Sequence, residues 1–407
     1  MSYKTLKSHI HSRSHRIKST LLVLIIIAGC LTTKAQSLEE NLIVGAERIG
    51  DYIEQLENKN IAIVANATSV VRRCNRNSYT HLVDTLLSRK IEVSKIFSPE
   101  HGFRTIADAG EKVSSSIDPK TGIEIVSLYG KQRKPTKEDL NDVDLILFDI
   151  QDVGVRFYTY IATLQYIMEA AADNHIPLIV LDRPNPNGDL VDGPVMEKEN
   201  TSFLGLQPIP LVYGLTIGEY ARLLNEENWL ETEKSLELKV IQMANYDRTH
   251  RYHLPIRPSP NLPNAQSIAL YPSLGLFEGT HINAGRGTPQ PFQRYGSKDL
   301  DQTVFSFNYE VTSTLGAKYP KQLGELCYGE DLSLVEVPKK VSLHWLLKAY
   351  HHHKGAFFKS ESFKLHSGQS ALEEMIQSGF TENQIRATWE KDLEAFKVIR
   401  SRHIMYP

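Results

Sequence analysis

Cysteine is scarce, with 3 in a chain of 407 residues. So few exclude a disulfide-framework fold, and without CxxC or zinc-type spacing the commonest cysteine metal motifs are missing too. Glycine (24) and proline (19) fall far short of a collagen-like or low-complexity composition. No sign of charge dominates either. Lysine plus arginine number 46 against 48 aspartates and glutamates, a formal charge of −2, which disfavours a strongly basic nucleic-acid binder. What is present, 41% hydrophobic and 9% aromatic residues, is ordinary globular composition with chain enough for one large core or two medium ones.

Acidic residues are missing before Glu39, whereas Lys4, Lys7, Arg13, Arg16, Lys18 and Lys34 are all basic. This stretch runs into Leu21–Ala28, an apolar segment too short to cross a bilayer and the right length for a secretory signal. Two exits compete. Ile27-Ala28-Gly29-Cys30 reads as a lipobox whose cysteine is lipidated, and Thr33-Lys34-Ala35 before Gln36 reads as an ordinary cleavage site. The expectation is a signal peptide over residues 1–35, or one ending before Cys30, and an exported, periplasmic protein, soluble or held to the membrane only through a lipid at Cys30. With the first 35 residues and their six positive charges gone, 372 residues remain and the net charge moves from −2 to −8. Cys74 and Cys327 are then the only cysteines left, and the count fits a pair or two free thiols equally.

Short apolar runs alternate with helical patterns from residue 61. Ile61–Ala65, Val93–Phe97, Glu124–Leu128, Leu145–Phe148 and Leu178–Leu181 lack clean alternation, which suits strands buried on both faces. Ile161, Leu164, Met168 and Ala171 fall on one helical face, and a second helix fits His81–Ser88. The pattern predicts an α/β protein, a Rossmann-like, doubly wound, mostly parallel sheet. Past residue 205 prolines crowd the chain (Pro208, Pro210, Pro255, Pro258, Pro260, Pro263), which reads as ordered loops or a smaller α+β domain. Domains over 36–208 and 209–407 are expected. Thr381 and Gln384 form a capping box before a closing helix with Trp389, Leu393, Phe396 and Ile399 on one face.

Ligands of open parallel sheets bind beyond the carboxyl ends of the strands, so the residues after each run are the ones to read. They are Asn66 and Thr68; Ser98-Pro-Glu-His-Gly102; Asp149-Ile-Gln-Asp152; and Asp182-Arg-Pro-Asn-Pro-Asn-Gly188. Glu100, Asp149, Asp152 and Asp182 line one crevice if the strands are adjacent. Gathered carboxylates push one another's pKa apart, and one kept protonated can be the general acid that glycoside cleavage needs. Asp149 and Asp182 have a plainer reading as helix caps or loop braces. Glu100, on a stiff turn between Pro99 and Gly102, has less of one. Arg156, Arg183 and Arg286 are candidate anion clamps, or structural ion pairs. Tyr158, Tyr160, Tyr213 and Tyr271 are candidates to stack on sugars, or core packing. There is no GxGxxG, P-loop, GxSxG elbow or HExxH, which removes most of the case for nucleotide, α/β-hydrolase and zinc-protease chemistry.

Five ordered motifs carry a family resemblance: Ser98–Phe103, Asp149–Tyr160, Leu181–Pro186, Leu276-Phe-Glu-Gly279 and Gly285-Arg-Gly-Thr288. They resemble the exo-β-N-acetylmuramidases of the NamZ type, long known as a domain of unknown function. The resemblance implies a two-part architecture with the active cleft between the parts. It also implies removal of terminal β-1,4-linked N-acetylmuramic acid from the non-reducing end of peptidoglycan fragments, with no cofactor, metal or nucleic acid. Glu100 corresponds to the proposed catalytic acid. His101 and Asp149 join it as catalytic candidates, and Asn66, Thr68, Gln151, Asp152, Arg156, Tyr158, Asp182, Arg183, Asn185, Tyr213, Glu278 and Arg286 are expected to contact MurNAc-GlcNAc saccharides. His281 stands where the family more often has asparagine.

Muramic acid differs from glucosamine by a lactyl ether bearing a carboxylate, so a muramidase needs a cation where a glucosaminidase does not. Whether the bond is cleaved with retention, with inversion, or with help from the substrate's own acetamido group oriented by Asp149 or Asp152 stays open in the sequence. The main rival is a non-catalytic muropeptide receptor using the same crevice. An amidase or esterase would need a serine elbow that Ser69 and Ser98 do not provide.

Overall fold

All five apolar runs become strands. In chain order the strands are β1 (Ile61–Ala65), β2 (Val70–Arg72), β3 (Tyr79–His81), β4 (Val93–Ser98), β5 (Ser116–Ile117), β6 (Glu124–Ser127) and β7 (Leu145–Asp149). They continue as β8 (Leu178–Leu181), β9 (Asp192–Val195), β10 (Pro210–Val212), β11 (Leu238–Ile241), β12 (Arg294–Ser297), β13 (Phe307–Glu310) and β14 (Leu326–Asp331). The computed structural model describes residues 42–73, 78–100, 102–104, 116–249 and 252–407. The leader with Cys30, together with Cys74 and His101, lies outside the described residues.

Seven strands make one sheet in the order β11-β8-β7-β1-β4-β6-β5, parallel throughout except for β5 against β6. The chain starts in the middle at β1 and winds outward through β4 and β6. It then crosses to β7 on the other side of β1 and winds out through β8 and β11. This is the doubly wound order, and its reversal beside β1 opens a crevice flanked by the ends of β1, β4 and β7.

Packing explains the unbroken apolar runs. Every residue of β1 is buried. Ile61, Ile63 and Ala65 join Leu145, Leu147, Ile179 and Leu181 in one apolar cluster. Ala62 and Val64, pointing to the opposite face, join Ile146, Phe148 and Val180 in another. That second cluster continues into Leu276, Phe277, Phe363, Trp389 and Phe396, so sheet and C-terminal region share a core. Each of the larger side chains contributes roughly 1.5–3 kcal/mol by leaving water.

The helix over Tyr160–Asp173 is buried on nearly every side. Helix Leu82–Ser88 begins after His81, whose Nδ1 accepts from Val83 N. The closing helix, Glu382–Ser401, starts from the Thr381–Gln384 capping box and buries Ile385, Trp389, Leu393 and Phe396. A smaller antiparallel sheet, β12-β14-β13, stands in the C-terminal region. Its Cys327 is buried beside Tyr309 and Val311 and has no disulfide partner among the described residues.

Residues 44–407 form one compact unit. The main sheet takes β11 from beyond residue 208, where composition suggests a boundary. As an edge strand, β11 buries only Ile241 fully, which leaves it a weak apolar signature. Among the described residues no helix is long and apolar enough to cross a membrane.

Candidate active site

The loops that follow the strands first brace one another. After β1, Asn66 Oδ1 accepts from Thr68 N at 2.8 Å and from Thr68 Oγ1 at 2.6 Å. Thr68 Oγ1 in turn accepts from Gln151 N at 3.1 Å, tying the end of β1 to the end of β7. Gln151 Nε2 donates to the carbonyls of Asp152 (2.7 Å) and Pro184 (2.6 Å).

Several expected ligand contacts are structural instead. Asp149, read as a catalytic candidate, is fully buried and grips Arg183 bidentately, Nε to Oδ1 at 2.6 Å and Nη2 to Oδ2 at 2.8 Å. Arg183 Nη2 also donates to Val70 O at 3.1 Å, so the pair braces the ends of the strands. Asp182 caps the helix Ile217–Glu226, accepting from Gly218 N (2.8 Å), Thr216 Oγ1 (2.7 Å), Arg183 N (3.0 Å) and Tyr406 OH (2.6 Å). Asn185 is a loop brace whose Nδ2 donates to Leu215 O at 2.8 Å.

Arg156 is fully buried and donates to four carbonyls: Pro194 (2.7 Å), Ile209 (2.9 Å), Ser367 (2.6 Å) and His366 (3.3 Å). Among the described residues no carboxylate pairs with it, and burial lowers its pKa. It staples the β9–β10 hairpin to the end of helix Ser360–Ser367. Gly368, at φ 76°, is required there because a Cβ would lie 2.5 Å from Arg156 Nη2. Tyr213, expected against a sugar, is wholly buried and donates to Asp152 Oδ2.

A cavity of about 170 Å³ opens where the sheet meets the C-terminal region. From the sheet side it is lined by Glu100, Phe157, Tyr158 and Tyr160, and from the C-terminal side by Asn261, Tyr271, Glu278, Arg286, Phe292 and His366. Glu100 follows β4 on the tight turn expected for it, closed by Gly102 N to Pro99 O at 3.3 Å with Gly102 at φ 79°. Tyr160 OH donates to the Glu100 carbonyl at 3.2 Å. Tyr158 OH donates to Pro258 O at 2.6 Å and thereby ties the wall to the C-terminal loop. Edge-to-face contacts link Phe157 to Tyr271 (5.0 Å) and Tyr271 to Phe292 (4.7 Å), so the aromatic wall is stiff.

Charge is graded around this wall. Arg286 Nη1 donates to Glu278 Oε2 at 3.0 Å, and Lys321 Nζ stands 3.8 Å from Glu278 Oε1. Burial works to raise the Glu278 pKa, but Lys321, Arg286 and His366 outweigh it and hold the carboxyl at about 2. Lys321 donates to Phe277 O (2.6 Å) and Thr280 O (3.2 Å), and burial, partly offset by Glu278, brings it down to about 8. At neutral pH the trio therefore carries a net positive charge. Asp152 lies behind the tyrosines; burial lifts its carboxyl to about 6 against bonds from Tyr213 and backbone N–H groups. Its Oδ1 has no hydrogen-bond partner among the described residues.

Of the expected site residues, Glu100, Tyr158, Glu278 and Arg286 line this cavity. Tyr160 and Tyr271, read as possible sugar stackers, line it as well. Asn261, Phe292 and His366 were not foreseeable. They sit outside the strand-end rule, and their only sequence signal is the Pro258–Pro263 loop around Asn261. Lys321 gave none.

A pocket of carboxylates, aromatic rings and one accessible arginine, set beside the switch point of a doubly wound sheet, is that of a glycoside hydrolase. Family models agree: residues 61–266 match the N-terminal and 269–406 the C-terminal part of the exo-β-N-acetylmuramidase NamZ. The chain belongs to the NamZ family. It is 39% identical over 378 residues to the peptidoglycan β-N-acetylmuramidase NamZ of Bacillus subtilis (strain 168), covering 88% of this chain and 89% of that protein. Crystal structures of two DUF1343 family proteins of Bacteroides fragilis NCTC 9343 superpose at TM-scores of 0.81 and 0.76. They are 40% and 28% identical, each match covering 90% of this chain and 99% of the other.

Proposed function

We propose that this protein is an exo-acting glycoside hydrolase that releases terminal β-1,4-linked N-acetylmuramic acid from the non-reducing end of peptidoglycan fragments. The observation that carries this reading is the convergence of Glu100, from the end of β4, with the Glu278–Arg286 pair of the C-terminal region on one small cavity. Family membership supports it. The space suits one sugar ring rather than a run of them, as exo action requires.

Glu100 is the general acid that protonates the leaving oxygen. Arg286 is the cation for the lactyl carboxylate, since Arg156 and Arg183 are committed elsewhere and Arg286 is 26% exposed in its side chain. The substrate is a MurNAc-GlcNAc saccharide, met outside the cytoplasm. The basic and apolar leader supports export, through a cleaved signal or a lipid at Cys30.

The test is Glu100→Gln assayed on a chromogenic β-N-acetylmuramide. Loss of about 10²- to 10⁴-fold in kcat with an unchanged Tm is expected. Turnover near wild type removes Glu100 from the mechanism, and no release by the wild-type protein favours a receptor.

A further inference from the structure

His366 belongs to none of the motifs that carry the family resemblance, yet it lines the cavity. It sits near the end of helix Ser360–Ser367, with Nδ1 2.7 Å from the carbonyl oxygen of Ser362 one turn back. A carbonyl only accepts, so Nδ1 carries the proton and Nε2 is an acceptor. Nε2, on the other side of the ring from Nδ1, meets no hydrogen-bond partner among the described residues. Phe157 packs against the ring at a centroid distance of 5.9 Å. Burial lowers the imidazole pKa, helped by Lys321 and Arg156 against Ser362 and Glu278, so the ring is neutral at neutral pH.

Close by, Glu278 Oε1 is buried and faces the Lys321 ammonium at 3.8 Å. This end of the cavity thus holds a carboxylate already paired with cations and one ring acceptor, His366 Nε2, to which no described residue donates. Buried acceptors cost free energy until something donates to them.

The substrate's own chemistry identifies the donor. In N-acetylmuramic acid bound through its anomeric carbon, position 2 carries the acetamido group and position 3 the lactyl ether, which leaves hydroxyls at 4 and 6. The 6-hydroxyl is present in internal and terminal residues alike. The 4-oxygen bears a hydrogen only at a non-reducing end, because in every internal residue it is the bridging oxygen. An acceptor-only contact at position 4 therefore separates chain ends from chain interiors.

We propose that His366 Nε2 accepts the hydrogen of the terminal sugar's 4-hydroxyl and so selects the chain end, a proposal that rests on the muramidase reading above. Position 4 adjoins the lactyl ether at position 3, and His366 lines the same cavity as Arg286. The anomeric carbon lies across the ring from position 4, on the side left to Glu100.

The experiment compares wild type and His366→Phe on a chromogenic β-N-acetylmuramide and on its 4-deoxy and 6-deoxy analogues. Wild type loses about 10- to 100-fold in kcat/KM when the 4-hydroxyl is removed. His366→Phe loses a similar factor on the parent and little more on the 4-deoxy compound, because the two changes delete the same bond. Removing the 6-hydroxyl affects both proteins alike. His366→Gln, which keeps an acceptor, recovers part of the loss. Equal cleavage of parent and 4-deoxy substrate by the wild type overturns the proposal without any variant, as does a 4-deoxy penalty in His366→Phe as large as in wild type. No cleavage of the parent by the wild type instead sinks the muramidase reading beneath it.

Discussion

Two carboxylates of the same residue type sit in different states here because of what donates to them. Asp149 has both oxygens filled by one guanidinium and is a brace. Asp152 keeps one oxygen without a partner among the described residues, and its carboxyl titrates near 6. Sequence places both at a strand end and cannot tell them apart, since the partner of Asp149 arrives from a strand end 34 residues away. Glu100 was legible because its neighbours, Pro99 and Gly102, dictate the turn that presents it. Arg286 was legible as one of three arginines, and burial of the other two singles it out. Arg286→Met is expected to raise KM for a β-N-acetylmuramide by about 10- to 100-fold, the worth of a charge-assisted bond pair. Affinity for N-acetylglucosamine, which lacks the carboxylate, is expected to change little. An equal loss for both ligands, read by calorimetry, contradicts the clamp.

Elements were easier to read than contacts. The central strands are buried on two faces and advertise themselves as apolar runs, and the closing helix announces itself through its capping box and apolar stripe. The β9–β10 hairpin, β11 and the C-terminal sheet are short or half-exposed, so their sequences carry little period. Nothing local tells that Arg156 will join the hairpin to the helix that carries His366, because its acceptors lie 38 to 211 residues away. Arg156→Met strands those carbonyls and is expected to cost about 3 kcal/mol of stability. In urea denaturation the midpoint falls with the slope unchanged. A loss below about 1 kcal/mol means that water or relaxation satisfies the carbonyls and the staple is minor.

At the scale of the whole molecule, the expected exported chain carries −8, a field that opposes anionic wall fragments. Attraction has to be local, and Glu278, Arg286 and Lys321 together supply one net positive charge in the cavity at neutral pH. Lys321 titrates at about 8, below the ordinary lysine value, so raising the pH through 8 removes its proton and takes the trio to neutrality. Binding of free N-acetylmuramic acid is therefore expected to weaken several-fold between pH 7 and about 9.5, more at low salt than at high, while N-acetylglucosamine binding stays level. Parallel pH profiles for the two sugars contradict that charge count.

On the reading proposed above, this cavity cleaves one terminal muramic acid at a time through Glu100. Mass spectrometry of the products from a defined MurNAc-GlcNAc disaccharide fixes bond, direction and reaction together. Free N-acetylmuramic acid and N-acetylglucosamine are expected with the wild-type protein, and intact disaccharide with Glu100→Gln. Intact disaccharide with both proteins, or the same products from both, contradicts it.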